Sequence, residues 1–463
     1  MSVVVDMDTL SSAIESFKSK VLAWRDSSES SQKEIIRHTI PIKDVAIGDW
    51  ISCQTQNQKF YWKNRESTLE VAGIGYADLK ILKSMSGLDH LVQQIKDNIA
   101  LSKDSNIRYF GTISFDQGNR GSDIWAGVQF GQWILPILEL SRSESDYFLT
   151  VQWVWMPGYS QKRITEQVMD VLNNVQCDVE ASLAECSRPT CVSRTDMPDR
   201  DTWLSMFYRV MNELRGDKLK KIVLTRCLDL LLDQHINPYL LLNLLSQEDE
   251  SSYRFSFELD NQRTFFGVSP ERLYYREGNT IFSEAIAGTR PRYHSKLQDF
   301  QTQAELLISK KDGQEHDYVR KMIESKLSSL TTAGEWTSPS TVLELSTMYH
   351  LYDLYKGKIK ESVTDADLIR ELHPTPAVSG YPTDVALNLL ESYENCSRGL
   401  FSGVVGWIGA DSVDFVVAIR SALLKEKHLY VYSGVGLVSS SECEQEWQEL
   451  ELKVKQFLEQ IDF

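Results

Sequence analysis

Gly403-Val-Val-Gly-Trp-Ile-Gly-Ala-Asp-Ser-Val-Asp-Phe-Val-Val-Ala-Ile-Arg-Ser-Ala-Leu-Leu-Lys-Glu-Lys-His-Leu-Tyr-Val-Tyr-Ser433 is the stretch that decides the fold class. It holds three apolar and β-branched runs, Gly403–Trp407, Asp414–Ser421 and Leu429–Ser433, which read as strands. A helix, Glu442–Gln460, follows them, and another starts after Pro382 upstream. Further back, a long helical pattern runs from about Leu297 to Leu330, behind strands at Ile222–Leu230, Tyr253–Glu258, Thr264–Val268 and Leu273–Tyr275. Strands in runs and helices in runs, without regular β-α-β alternation, predict an α+β fold rather than a doubly wound one.

The first half extends the strand-rich pattern. Residues 8–26 have Leu10, Ile14, Phe17, Val21 and Trp24 at helical spacing. From 34 to 155 the chain reads mostly as an antiparallel meander, with strands at Arg108–Phe115, Asp123–Phe130, Gln132–Leu140 and Tyr147–Trp155. Pro136 suggests an edge or a bulge. The polar segment 177–200 is the best internal boundary, before a helix at Asp201–Leu214 whose apolar face includes Trp203, Phe207 and Val210. The expected division is a variable N-terminal part, 1–195, and a catalytic part, 196–463.

The chain has 463 residues; Lys plus Arg total 49 and Asp plus Glu 65, a formal net charge of −16. With 42% hydrophobic and 25% charged residues, wholesale disorder is excluded. The acidic balance argues against nucleic acid or an anionic membrane surface as partner. No stretch approaches the ~18 to 20 apolar residues of a membrane span, and Met1–Lys20 lacks the apolar run of a signal peptide. Seven scattered cysteines include no C-x-x-C; Cys186 and Cys191 form a C-x4-C pair with no second pair nearby. A reduced, cytoplasmic protein without zinc is the plain expectation.

Six segments carry residue types suited to chemistry. Asp312 and Glu315 are spaced i,i+3, as are Glu446 and Glu449, with Lys453 four residues on. Such pairs share a helix face and offer the hard oxygen ligands that Mg²⁺ prefers, though solvated helix surface often looks the same. Ser269-Pro-Glu-Arg-Leu273 places Glu271 at a strand end, as a buried general acid or as an ordinary partner of Arg272. In Lys221-Ile-Val-Leu-Thr-Arg226, alternation aligns Lys221 with Val223; desolvation would suit it to base chemistry, unless its charged end stays in water. Gly288-Thr289 is a turn whose N–H and hydroxyl groups suit a carboxylate, or a simple turn before a basic loop. The proline-rich His373–Pro382 fixes an irregular backbone, as a site wall or a stiff linker. Arg420 ends an apolar strand as a carboxylate fork or a salt-bridge partner, and Gly434-Val-Gly436 offers backbone for close approach.

In this order and spacing the segments resemble the chorismate-utilising enzymes: isochorismate synthases, salicylate synthases, anthranilate synthase large components and aminodeoxychorismate synthases. The resemblance covers about residues 195–460. Its most specific pieces are K-I-V-L-T-R, S-P-E-R-L, E-A-I-A-G-T-R-P-R, the Lys311–His316 K-x-x-x-E-H, H-P-T-P-A-V, V-A-I-R and E-Q-E-W-Q-E-L-E-L-K. It implies the anthranilate synthase component I-like fold, with large antiparallel sheets packed in a layered sandwich and helices outside. It also implies roles. Lys221 matches the general base toward water and Glu271 the general acid. Glu315 and Glu449 match Mg²⁺ ligands, with Asp312 and Glu446 as water-mediated or outer partners; Asp312 stands where relatives often have Glu. Gly288, Thr289 and Lys453 match groups around the ring carboxylate. Arg420 with Gly434 and Gly436 matches the enolpyruvyl carboxylate site, and His350 and His373 match histidines lining the pocket.

Within the family, Ala287 replaces the nucleophilic lysine of aminodeoxychorismate synthases. L-L-E-S occurs only at Leu389–Ser392, away from the N-terminal tryptophan-binding position of anthranilate synthases. Ser379 stands where salicylate synthases tend to have Thr. The His-Pro-Thr-Pro-Ala-Val string looks most like isochorismate synthases of menaquinone or siderophore pathways. Tyr293, in place of the usual Gly after R-P-R, and a short Gly409–Val413 turn are departures expected to affect loops. The implied substrate is chorismate and the implied cofactor Mg²⁺. No glutamine amidotransferase partner is implied, and a monomer or weak dimer is expected. Salicylate synthase, anthranilate synthase large component and a non-catalytic homologue are the alternatives.

Overall fold

The structure is a computed structural model that describes residues 8–27, 30–102, 104–116, 124–179, 188–248, 251–292, 295–337, 340–345 and 348–463. Every strand ladder among them is antiparallel, as hairpin-connected runs require. Two long series of strands diverge from Gly131–Ser143. One edge of that strand pairs with Leu69–Leu82 along its length; the other pairs with Arg108–Ile113 at its start and Asp146–Trp155 at its end. The first series passes from Leu69–Leu82 through Lys59–Lys63, Tyr253–Glu258, Arg263–Ser269, Ser421–Lys425 and His428–Leu437 to Lys221–Leu232. The second passes from Arg108–Ile113 through Val404–Gly409, Ser412–Val417, Arg272–Glu277 and Thr280–Pro291 to Met348–Ile359.

The two series face each other. Phe60, Trp62, Phe255 and Leu423 of the first pack with Phe110, Val405, Trp407 and Val416 of the second in one buried cluster. Phe60 and Phe110 stack with ring centroids 4.6 Å apart. Helices cover the outer faces. Leu10–Arg25, Gln161–Asn174, Pro238–Glu248 and Cys443–Leu458 contribute to one outer core, and Leu88–Ala100, Lys310–Leu330 and Asp365–Leu372 to the other. The expected α+β sandwich with outer helices is therefore what the chain adopts. Strands from both halves pair directly, 59–63 with 253–258 and 108–113 with 404–409. Among the described residues, no helix is long and apolar enough to cross a membrane.

Several elements differ from the sequence reading. The 297–330 helix is two, Lys296–Ile308 and Lys310–Leu330. Ser309 is extended at ψ 118° and its hydroxyl accepts from the Asp312 N–H, so a side-chain cap restarts the helix just before the acidic pair. The strand expected over 414–421 stops at Val417 and resumes at Ser421 beside different neighbours. Residues 418–420 carry the chain from one strand series to the other. Arg420 takes φ +49° there, a left-handed conformation uncommon outside glycine. Residues 124–130 form turns rather than the end of a strand, and part of that predicted strand, like Cys186 and Tyr293, lies outside the described residues. Within 177–200, Cys191–Met197 is a strand paired with Lys221–Leu232.

Candidate active site

Lys221–Leu232 is an apolar strand whose first residue is a fully buried lysine. Its neighbours supply the rest of the wall. His428–Leu437 pairs along its length, bringing Gly436 opposite Val223 and Gly434 opposite Thr225. Together with the other strand series they line one cavity. Lys221, Glu271, Gly288, Thr289, Glu315, His350, Arg420, Gly434, Gly436 and Lys453 all reach it. Ten residues singled out on eight separate stretches of the chain thus converge on one space.

Lys221 Nζ lies 2.9 Å from Glu315 Oε1, an ion-pair contact without hydrogen-bond geometry. A Cβ at Gly436 would fall 2.3 Å from that carboxylate oxygen and 2.8 Å from Lys221 Cε, so a side chain there would displace the pair. Gly288 has φ +72°, and a Cβ there would press within 3.0 Å of Asp312 Cβ. That glycine lets strand Thr280–Pro291 bulge between Ala287 and Thr289 against the start of helix Lys310–Leu330.

Glu271 follows Pro270 between two strands. Its N–H donates to Ser269 Oγ at 3.3 Å, and its carbonyl accepts from Val417 N–H at 3.0 Å. Burial pushes its carboxyl up to about 8, although Lys221 and the Thr375 hydroxyl, 3.4 Å away, pull the other way. A carboxylic acid that keeps its proton at neutral pH is suited to donate it. His350 is held in the opposite sense. Burial, then the charges of Arg420 and Lys453, drive it down to about 3, so it is neutral. Its Nδ1 lies 3.0 Å from the Gly288 carbonyl, which assigns the proton to Nδ1 and leaves Nε2 as acceptor, 3.5 Å from Arg420 Nη2.

The remaining acids each meet a cation. Asp312 pairs with Arg290 at 2.8 Å, Glu446 with Lys311 at 2.5 Å and Glu449 with Lys453 at 2.7 Å. Lys453 also donates to the Gly434 carbonyl at 2.8 Å. Helix Cys443–Leu458 is anchored by Leu450, Val454 and Phe457, each worth about 1.5–3 kcal/mol when buried, and this sets the direction of Glu446, Glu449 and Lys453. Burial and the neighbouring Glu449 raise Glu446 to about 7. Asp312, Glu446 and Glu449 do not line the cavity, and no three metal-ligating side chains among the described residues converge tightly enough to hold an ion. His373 is a correction: it packs edge-on against Phe115 and borders a separate outer groove. The irregular His373–Pro382 backbone turns its ring away and presents Ala377 and Val378 instead.

Structure adds groups with no motif of their own. Arg398 is buried and donates to the carbonyls of Val378 at 2.6 Å and Val223 at 2.8 Å, tying two cavity walls together. Glu394 accepts from Arg398 and from the Thr225 hydroxyl. Phe401, Ser402 and Tyr432 also line the cavity. An arginine followed by a glycine in a loop looks like surface in a sequence; only its burial shows otherwise.

Comparison with known proteins identifies the family to which this chain belongs. The chorismate binding enzyme family matches residues 19–462, and the chain belongs to that family. It is 29% identical to the chloroplastic isochorismate synthase of Catharanthus roseus, across 98% of this chain and 84% of that protein. It is 28% identical to isochorismate synthase MenF of Bacillus subtilis, across 86% of each chain. Among solved structures, the menaquinone-specific isochorismate synthase MenF of Escherichia coli superposes with a TM-score of 0.85 at 23% identity, covering 98% of this chain and all of that one. Anthranilate synthase component I of Streptococcus pneumoniae shares the fold at a TM-score of 0.68 and 18% identity, covering 93% and 92%.

Proposed function

We propose that this chain is an isochorismate synthase, converting chorismate to isochorismate by water attack at C2 and loss of the C4 hydroxyl. The observation that carries this reading is the pairing of a buried lysine, Lys221, with a carboxylic acid held protonated, Glu271, in one cavity that also presents carboxylate-binding groups. Lys221 in its amine form takes a proton from water. The water oxygen bonds to C2, the ring double bonds shift, and the C4–oxygen bond breaks as Glu271 gives its proton to the departing hydroxyl. One water enters and one leaves, so atoms and charge balance. Such acid and base steps typically contribute about 10² to 10⁴-fold each. Arg420, aimed by its left-handed backbone and flanked by neutral His350, suits one substrate carboxylate. Thr289, Gly288 and Lys453 suit the other.

Mg²⁺ fits the donor chemistry. Glu315, Glu446 and Glu449 supply hard oxygens from two helices, and Glu446 Oε2 is buried with no hydrogen-bond partner. Glu315 and Glu449 are the proposed ligands, with Asp312 and Glu446 behind them. When bound, the ion would neutralise a substrate carboxylate and part of the local acidic charge. The proposed product would feed menaquinone or siderophore synthesis. The test is product analysis after incubation with chorismate and Mg²⁺: isochorismate alone supports the reading, whereas pyruvate with salicylate assigns a salicylate synthase. Lys221→Ala should abolish turnover with the fold intact; a near-wild-type rate removes Lys221 from the mechanism.

A further inference from the structure

Next to the acid, but outside the cavity, lies a cluster of charge, built around the buried Glu284 and edged by the exposed Glu66, that the reaction above does not use. Arg65 and Glu66 come from the turn between strands Lys59–Lys63 and Leu69–Leu82, in the N-terminal half. Asn64 shapes that turn: its Oδ1 accepts from the Leu69 N–H at 2.9 Å and its Nδ2 donates to Thr68 at 2.7 Å. Arg65 Nη1 donates to Glu284 Oε2 at 2.9 Å and to the Pro270 carbonyl at 3.3 Å, while its Nη2 donates to the second Glu284 oxygen. The Glu284 carboxylate is fully buried and also accepts from Tyr352 at 3.2 Å. Arg272 closes the cluster, 2.6 Å from Glu66, 3.4 Å from Glu284 and 3.6 Å from Asp414.

Pro270 is the residue before Glu271, so Arg65 grips the backbone one bond from the acid. It also supplies a counter-charge for Glu284, whose negative charge favours the protonated form of Glu271. The other charges acting on Glu271 are Lys221 and Lys453, with the Thr375 hydroxyl as hydrogen-bond donor. We propose that Arg65 is a positioning residue for the acid, so that the N-terminal half sets both the place of Glu271 and the charge behind it. This rests on Glu271 being the general acid.

The test is the pH dependence of kcat and KM for the full chain with chorismate and Mg²⁺, in wild type, Arg65→Met, Arg65→Lys and Glu284→Gln. Displacements near 1 Å at a catalytic group cost up to about 10²-fold. Arg65→Met should lower kcat about tenfold or more with KM within about twofold, and should move the alkaline limb to higher pH, because Glu284 then faces Glu271 with less compensation. Glu284→Gln should move the limb to lower pH. Arg65→Lys keeps the charge and loses the fork, so kcat should fall while the limb stays near wild type. General loosening of the fold would not shift the limb in opposite directions in two variants of one ion pair. Limbs that stay at the wild-type pH in both Arg65→Met and Glu284→Gln overturn the proposal, as does an Arg65→Met kcat within twofold of wild type. Should Arg65→Met fail to fold, Arg65→Lys and Glu284→Gln still decide it. Turnover surviving in Glu271→Gln defeats the reading beneath it; an inactive Glu271→Gln beside unmoved limbs defeats this inference alone.

Discussion

Glu271→Gln separates stability from catalysis at one buried atom. The carboxyl sits near 8 in the folded protein against 4.5 in a solvated chain. Between these values the folded state holds a proton that the unfolded state has released, so wild-type stability falls as pH rises. The slope is about 1.4 kcal/mol per pH unit, and the loss ends near pH 8, where both states are ionised. Its full size is about 5 kcal/mol. Gln titrates in neither state. A chain of this length has an unfolding entropy of about 1 kcal/mol per degree, so the midpoint of the Gln variant should gain on wild type by up to about 5 °C between pH 5 and pH 8.5 and then hold steady. Thermal unfolding in matched buffers measures this without substrate. The rate runs beside it: a required proton is present in about 90% of free molecules at pH 7 and about 10% at pH 9, so wild-type kcat/KM should fall about ninefold over that interval. A constant offset between the two melting curves from pH 5 to 9 would refute the claim that burial holds this proton.

Two further outcomes test the site's construction. Gly436→Ala puts a methyl group against Glu315 and Lys221; kcat should drop about 10²-fold while the far-ultraviolet dichroism stays native, and an unaltered kcat would mean the pair is not held as described. Glu449→Gln should weaken Mg²⁺ binding about tenfold or more by calorimetry, and an unchanged titration would remove Glu449 from the metal site.

Much of the site was legible because its residues sit in short, stiff, unusual strings. A lysine at the head of an apolar strand, a glutamate after Ser-Pro, a Gly-Thr in an apolar run and an arginine at a strand end are costly placements for an idle residue, and each of the four reaches the cavity. His373 misled because it sits in an equally distinctive string. The string positions Ala377 and Val378, and the histidine is pressed against Phe115 with both ring nitrogens unpartnered and its acidity shifted by burial to about 3. Arg398 and Arg65 were missed for the converse reason: nothing local distinguishes a buried loop arginine from a surface one.

The acidic net charge of −16 and the α+β class belong to the sequence by itself. These follow from periodicity and residue chemistry, which act over a few neighbours along the chain. Pairings between distant segments were decided only in three dimensions. Tertiary packing put strand 59–63 beside 253–258 and bent Arg420 into a left-handed crossing. It also brought an N-terminal turn to the carbonyl next to Glu271. Burial sets the proton affinities of Glu271 and His350, and burial comes from what the rest of the chain stacks around a residue.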